Sequence, residues 1–168
     1  VQAAANAKIA GAEQILAAME KEDYNAFIEA YDTYADALEA AGIPAFGPRK
    51  NAAIIEASKA FSKGLMKKYH IPTAKYETFT DLDNALSYIR AQGAPIVVKA
   101  DGLALGKGVV VAATVEEAEA AVRDMMEGRK FGDSGSTVVI EECMVGPEVT
   151  VLAFCDGEHL VPMLSSQD

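Results

Sequence analysis

A glycine-rich loop between two apolar, strand-like runs constrains the fold of this chain more than any other feature. The loop covers residues 99–108 (KADGLALGKG) and contains three glycines and two lysines. Residues 95–100 predict a strand before it, and residues 109–113 predict the hairpin partner of that strand. Glycine permits close approach and positive φ, while lysine supplies charge, so such a loop can hold a phosphate. An ordinary flexible hairpin connection is the competing interpretation, although two residues would suffice for it.

The loop matches neither of the two common phosphate-binding motifs. A P-loop requires G-x-x-x-x-G-K-[ST] before a helix, but Gly102 and Gly106 lie one residue too close, and Gly108 stands where Ser or Thr is needed. The dinucleotide motif G-x-G-x-x-G fails because Val111 occupies its last glycine position. A loop between antiparallel strands remains, and that geometry suits a flap that closes over a triphosphate and excludes water.

Composition fits a folded domain and argues against several classes of function. The 168 residues are 51% hydrophobic and 24% charged, enough to bury a core in one compact domain or two small ones. The net charge of −10 argues against a nucleic-acid partner, which needs clustered Lys and Arg. No run approaches the ~18 apolar residues that span a bilayer, so no membrane partner is expected. Cys143 and Cys155 lack metal-ligand spacing, which predicts buried free thiols and a cytoplasmic location.

Hydrophobic periodicity predicts an α+β fold. Two amphipathic segments within residues 1–46 predict an α-helical hairpin. Ile9 and Ile15 lie on the apolar face of its first helix, and Phe27 and Leu38 lie on the apolar face of its second. Further helices are predicted across residues 54–69, 80–92 and 114–127, the last opened by a capping box. Extended segments or strands are predicted at residues 76–79, 95–100, 109–113, 137–142, 148–155 and 159–164, with an Asp-Gly turn between the last two.

A resemblance to a known family rests on long stretches of sequence. The chain resembles the phosphoribosylamine-glycine ligases of the ATP-grasp superfamily through SKAFSKGLMKKYHIPTAKYETF, GAPIVVKADGLALGKGVVVA, FGDSGSTVVIEECMVGPEVTVLAF and the terminal SSQD. The resemblance covers about residues 38–168. It implies ATP-grasp-type antiparallel sheets with packed helices, which hold ATP between them. It also implies two parts: a helical segment at residues 1–46 that does not match the family, and an ATP-grasp nucleotide-binding part at residues 47–168.

The resemblance assigns phosphate binding to several lysines and glycines. Lys59 and Lys99 would hold the phosphates of ATP. Lys107, with the amides of Gly106 and Gly108, would belong to the closing loop. Lys99 also follows a run too apolar for a sheet edge, and a buried lysine favours a partner such as a phosphate. For Lys59, a surface lysine on a helix is an equally good interpretation of the sequence alone.

The resemblance assigns adenosine binding to residues 138–148. It implies that Glu141 and the backbone of Cys143 contact the adenine. Glu148 would accept hydrogen bonds from the ribose hydroxyls, a role that suits a carboxylate. Glu142 is interpreted as a strand end that reaches solvent.

The enzymatic hypothesis follows from this resemblance. The parent enzyme would use ATP to convert glycine to glycyl phosphate, which phosphoribosylamine attacks to give glycinamide ribonucleotide in purine biosynthesis. No catalytic nucleophile or metal ligand is assigned to this chain, because ligands for Mg²⁺ or Mn²⁺ are expected beyond residue 168. Without them, the chain alone is expected to bind nucleotide weakly or not at all, and not to turn over.

Two other hypotheses stay open. The first is a catalytically inactive nucleotide-binding or interaction module, whose helical hairpin packs on a partner or self-associates with a second copy. The second is an ATP-grasp ligase that acts on a different acid, although the long loop and the SSQD ending count against it. Phosphate release that depends on glycine and phosphoribosylamine would distinguish the ligase from the module.

Overall fold

The computed structural model describes residues 13–15, 17, 24–43, 47–102, 108–128 and 135–167. Within these ranges the helices are α1 (Tyr24–Ala40), α2 (Lys50–Ala57), α3 (Lys59–Lys68), α4 (Leu82–Gln92) and α5 (Val115–Met126). The strands are β1 (Tyr76–Phe79), β2 (Ile96–Ala100), β3 (Val109–Ala112), β4 (Val138–Glu142), β5 (Ala153–Cys155) and β6 (Leu160–Pro162). No helix in the described ranges is long and apolar enough to cross a membrane. The predicted α+β class is confirmed.

Four strands form one antiparallel sheet in the order β1-β4-β2-β3. β2 pairs with β3 through Lys99 opposite Val109, and with β4 through Lys99 opposite Val139. The prediction that β2 and β3 are hairpin partners is therefore confirmed. β2 also lies inside the sheet, as its apolar run predicts, so Lys99 stands on an interior strand.

The sheet has two different faces because successive side chains of a strand point in opposite directions. Val98 of β2 and Ile140 of β4 belong to the hydrophobic core that α4 and α5 complete. Lys99 and Glu141, one position further along the same strands, therefore lie on the opposite face. The alternation that builds the core thus also brings a lysine and a carboxylate together.

The helices that cover the core lie within one or two residues of their predicted bounds, and α4 is capped by Asp81 and not by the predicted first residue, Thr80. Asp81 accepts a hydrogen bond from the Asn84 N–H at 2.9 Å at the start of α4, and Gly93 ends that helix with a φ of +80°. At the start of α5, Thr114 Oγ1 accepts from the Glu117 N–H at 3.2 Å. These caps satisfy amides that have no partner within the helix.

The single helix predicted across residues 54–69 is wrong, because the chain forms α2 and α3 with an extended Ser58 between them. The Ser58 N–H donates to the Ile54 carbonyl at 3.0 Å and closes α2. Its hydroxyl accepts from the Phe61 N–H at 3.0 Å and opens α3. One residue therefore caps two helices. The apolar face predicted for the single helix is not buried either, since Ile54 and Phe61 are exposed.

The strands of the C-terminal part are shorter than predicted. The strand predicted at residues 148–155 is reduced to β5, and an isolated bridge joins Thr150 to Ser166. The predicted Asp-Gly turn is confirmed: the Asp156 carboxylate accepts from the His159 N–H at 2.7 Å. The burial predicted for the cysteines is wrong for Cys155, which is exposed, while Cys143 is half-buried; both thiols are free.

Only part of the helical hairpin predicted in residues 1–46 falls within the described residues. Its second helix corresponds to α1, in which Ala35 and Leu38 are buried. Arg49 binds Asp36 at 2.8 Å and also contacts Glu39, so α1 is tied to the chain just before α2. Most of the first helix lies outside the described residues.

Candidate functional site

Glu141 is a buried carboxylate that lies between two lysines on the sheet face opposite α4 and α5. The residue is 5% exposed. Lys99 contacts one of its carboxylate oxygens, and Lys63 contacts the other. Burial disfavours the charged form of Glu141, but the hydrogen bonds from Lys63 and Lys99 outweigh it, so the pKa of Glu141 is lowered. Two ammonium groups and one carboxylate leave one positive charge in excess, which favours an anionic ligand.

Lys63 on α3 is a site residue that the sequence analysis missed. Its side chain is only 12% exposed. Its ammonium also donates to Thr73 Oγ1 at 2.7 Å and lies 5.3 Å from the centre of the Tyr76 ring. The available signal was its spacing, since Lys63 follows Lys59 by four residues and such residues share a helix face.

Lys59 is the first residue of α3 and reaches the start of the glycine-rich loop. Its ammonium donates to the Gly102 carbonyl at 2.6 Å. Burial lowers the pKa of Lys59; the Asp101 carboxylate acts in the opposite direction, and the charge of Lys99 lowers the pKa further. The net direction is down. Lys59 therefore binds the backbone three residues after Lys99, at the point where β2 leads into the loop.

Asp101 joins the end of β2 to the first turn of α3. Its carboxylate accepts from the Ser58 hydroxyl, with both oxygens at 3.1 Å, and from the Ala60 N–H at 3.0 Å. Its own N–H donates to the Thr137 carbonyl at 2.8 Å. The stem of the glycine-rich loop is therefore fixed to both a helix and the chain before β4.

The glycine-rich loop is described only at its two ends. Gly108 is buried, and its carbonyl accepts from the Ala100 N–H at 2.8 Å. Gly106 and Lys107 lie outside the described residues. Their assignment to a phosphate-binding flap stays a prediction.

Two of the residues predicted to bind adenosine, Cys143 and Glu148, follow the end of β4. Cys143 is half-buried, and Glu148 is exposed. Met144 and Val145, between them, are exposed apolar side chains of the kind that can flank a ring. Glu142 is exposed as predicted, and its carboxylate accepts from a backbone N–H. The roles of Cys143 and Glu148 at base and ribose stay predictions.

Carboxylates are arranged here for hydrogen bonding to lysines and backbone amides. Among the residues that the structure describes, no group of three or more His, Cys, Asp or Glu side chains is placed to hold a metal ion. The described part of the site is therefore cationic, built from Lys59, Lys63 and Lys99. It can bind an anion through charge-assisted hydrogen bonds.

Comparison with known proteins assigns this site to a family. The family model described as phosphoribosylglycinamide synthetase, ATP-grasp (A) domain, matches residues 57–168. The chain belongs to this family. It is 56% identical over 133 residues to the phosphoribosylamine-glycine ligase of Salmonella typhimurium, a match that covers 79% of this chain and 31% of that protein. The Escherichia coli K12 ligase is 55% identical with the same coverage. This family member therefore spans about a third of the length of these curated relatives.

Solved structures support the ATP-grasp fold. The phosphoribosylamine-glycine ligase of Thermotoga maritima matches with a TM-score of 0.65 and 35% identity, over 71% of this chain and 31% of that chain. D-alanyl-alanine synthetase A from Vibrio cholerae matches with a TM-score of 0.62 and 22% identity, over 80% and 40% of the two chains. The second match bears on the fold alone. The ATP-grasp architecture predicted from the sequence is confirmed.

Proposed function

We propose that this chain is the ATP-binding part of a phosphoribosylamine-glycine ligase, which makes glycinamide ribonucleotide for purine biosynthesis. The observation that carries the proposal is the meeting of Lys63 and Lys99 at the buried Glu141, with Lys59 on the same helix as Lys63, within the segment that matches the ATP-grasp family model. The ammonium groups of these lysines can donate charge-assisted hydrogen bonds to the oxygens of a polyphosphate.

Rigid elements hold the phosphate-binding groups in the proposed site. Lys99 lies on the interior strand β2, and Lys63 lies on α3. Both ammonium groups are held by Glu141 before a nucleotide arrives, which fixes the positions that phosphate oxygens approach. An ionised Glu141 can only accept hydrogen bonds, which also suits the amino group of an adenine.

The proposed reaction needs no covalent nucleophile from the protein. A glycine carboxylate oxygen attacks the γ-phosphorus of ATP, and ADP leaves. The amine of phosphoribosylamine then attacks the carbonyl carbon of glycyl phosphate, and phosphate leaves. The chain would contribute positioning, charge neutralisation and exclusion of water. Mg²⁺ or Mn²⁺ would neutralise phosphate charge when bound, and none of the residues that the structure describes is proposed as its ligand.

A nucleotide-binding module without ligase activity is the second candidate. It is supported by α1, a helix that lies outside the segment matched by the family model. In that case residues 1–46 would serve as a helical docking segment for a partner or a second copy. A cytoplasmic location is part of both proposals and is supported by the free thiols of Cys143 and Cys155.

Calorimetric titration with ATP and Mg²⁺ tests the proposal. We expect binding in the micromolar to millimolar range common for enzyme ligands, and its loss in Lys99→Ala. Lys67→Ala is the matched control, because Lys67 is an exposed lysine on α3. Absence of binding by the unaltered chain would overturn nucleotide binding by this part. Phosphate release that requires glycine and phosphoribosylamine would exclude the inactive module.

A further inference from the structure

Asp101 has no role in the proposed function, although its carboxylate contacts the helix of Lys59 and it directly follows the strand of Lys99. It follows Ala100, the last residue of β2, so it lies two residues after Lys99. Its carboxylate accepts from Ser58 and Ala60, which flank Lys59 in sequence. Asp101 therefore bridges the strand of Lys99 and the helix of Lys59.

The bridge fixes where α3 begins. The hydroxyl oxygen of Ser58 accepts a hydrogen bond from the Phe61 N–H, and its hydroxyl hydrogen is donated to Asp101. The Ala60 N–H, another amide that lacks a partner within the helix, also binds Asp101. A carboxylate at this end of the helix also interacts favourably with the positive end of the helix dipole. The first turn of α3, and with it the Cα atom of Lys59, is thereby held against the end of β2.

The same carboxylate acts on the charge of Lys59. The Lys59 ammonium is partly buried and lies near the positive charge of Lys99, and both effects disfavour its protonated form. Asp101 opposes them, as does Glu56 to a smaller extent. The hydrogen bond from Lys59 to the carbonyl of Gly102, the neighbour of Asp101, orients the ammonium group.

We propose that Asp101 is a positioning residue that holds the Lys59 ammonium, charged and oriented, beside Lys99 so that both lysines face one anion. The inference rests on the proposed function in one respect, namely that the anion is the phosphate of a nucleotide. A helix cap that only stabilises α3 is the alternative.

The first test measures Lys59 itself and needs no nucleotide. The pKa of the Lys59 ammonium is followed by NMR in the unaltered chain, in Asp101→Asn and in Asp81→Asn. Asparagine keeps an acceptor for the Ala60 N–H but removes the charge, so we expect a lower Lys59 pKa in Asp101→Asn. Asp81 caps α4 in the same way and is the matched control, which should leave Lys59 unchanged. A Lys59 pKa that does not respond to Asp101→Asn would overturn the inference.

The second test separates phosphate binding from stability. ADP and adenosine are titrated by calorimetry into the unaltered chain, Asp101→Ala and Asp81→Ala, below the unfolding transition of each. We expect Asp101→Ala to weaken the binding of ADP about tenfold, which corresponds to the loss of one charge-assisted hydrogen bond from Lys59 to the phosphate. The affinity for adenosine should be unchanged. Asp101→Asn should recover part of the ADP affinity. Asp81→Ala should lower the unfolding midpoint without affecting either ligand.

The two tests distinguish the failure of the inference from the failure of the proposed function. If the unaltered chain binds no ADP, the proposed function fails for this chain, while the Lys59 titration still decides the positioning role. Asp101 is only a helix cap if Asp101→Ala binds ADP as well as the unaltered chain does, or if the variant binds ADP and adenosine more weakly by the same factor. The positioning role is then wrong.

Discussion

The four-stranded sheet and the β5-β6 hairpin are both antiparallel, but they differ in what covers them. In β4 the first four residues are buried, whereas every residue of β5 and β6 is exposed. The sheet has α4 and α5 on one face, while apolar hairpin residues such as Phe154 and Leu160 are exposed. Packing around a strand fixes the lysine or carboxylate that it carries, so Lys99 and Glu141 are held by the sheet, whereas Glu148 and the hairpin after it are exposed.

The largest effect on stability is expected from a cavity in the core that α4 and α5 cover. Ile140→Ala should lower the free energy of unfolding by about 2–5 kcal/mol, because it leaves a cavity where Ile140 is fully buried. Leu160→Ala in the hairpin, at a position 68% exposed, should change it by less than about 0.5 kcal/mol. Urea unfolding of both variants measures the difference. Equal losses would show that the hairpin packs as tightly as the sheet.

A smaller effect is expected on the stability of the folded chain at acid pH, where Glu141 becomes protonated. The pKa of Glu141 is lowered below its ordinary value of 4.5, so its charged form stabilises the folded state above that pH. This contribution is lost as pH falls through the lowered value. In Glu141→Gln the loss should be absent, so stability should fall less steeply below a pH of 4.5. Urea unfolding across this range, with Glu142→Gln as an exposed control, would detect the change in slope. Parallel profiles for all three proteins would contradict the lysine pairing of Glu141.

The smallest effect concerns the turn of the hairpin. Backbone hydrogen bonds from His159 and Glu158, with a side-chain hydrogen bond from His159, lower the pKa of Asp156 to about 2. In His159→Ala the two backbone donors remain, so the pKa should stay below its ordinary value of 3.8. An NMR titration of the Asp156 carboxyl measures it. A return to the ordinary value would mean that the turn is held by the side chain of His159 instead of the backbone.

Residues whose environment is local or follows strand alternation could be predicted. The position of Lys99 on an interior strand follows from the apolar run before it, because such a run belongs inside a sheet. The cap at Thr114 and the stop at Gly93 are local signals of a few residues. The family resemblance supplied the assignment of Glu141, which the strand pattern alone does not distinguish from Glu142.

Residues governed by distant contacts were missed. Ser58 interrupts a good helical pattern because its hydroxyl binds Asp101, which is 43 residues away in sequence. Helical periodicity does not report such a contact. Lys63 was missed for the same reason, since only the fold brings it to Glu141. The strand predicted at residues 148–155 was too long because β-propensity reflects packing of side chains against neighbours, and every residue of that run is exposed.

Glu141 has a consequence for how any anion enters the site. The lysines it contacts already have an internal counterion, so a phosphate group does not fill a bare cationic pocket but exchanges with, or shares, a carboxylate that is part of the chain. Fewer mobile ions are then displaced when the ligand binds. Affinity for a polyphosphate should accordingly depend on ionic strength less than the number of lysines suggests.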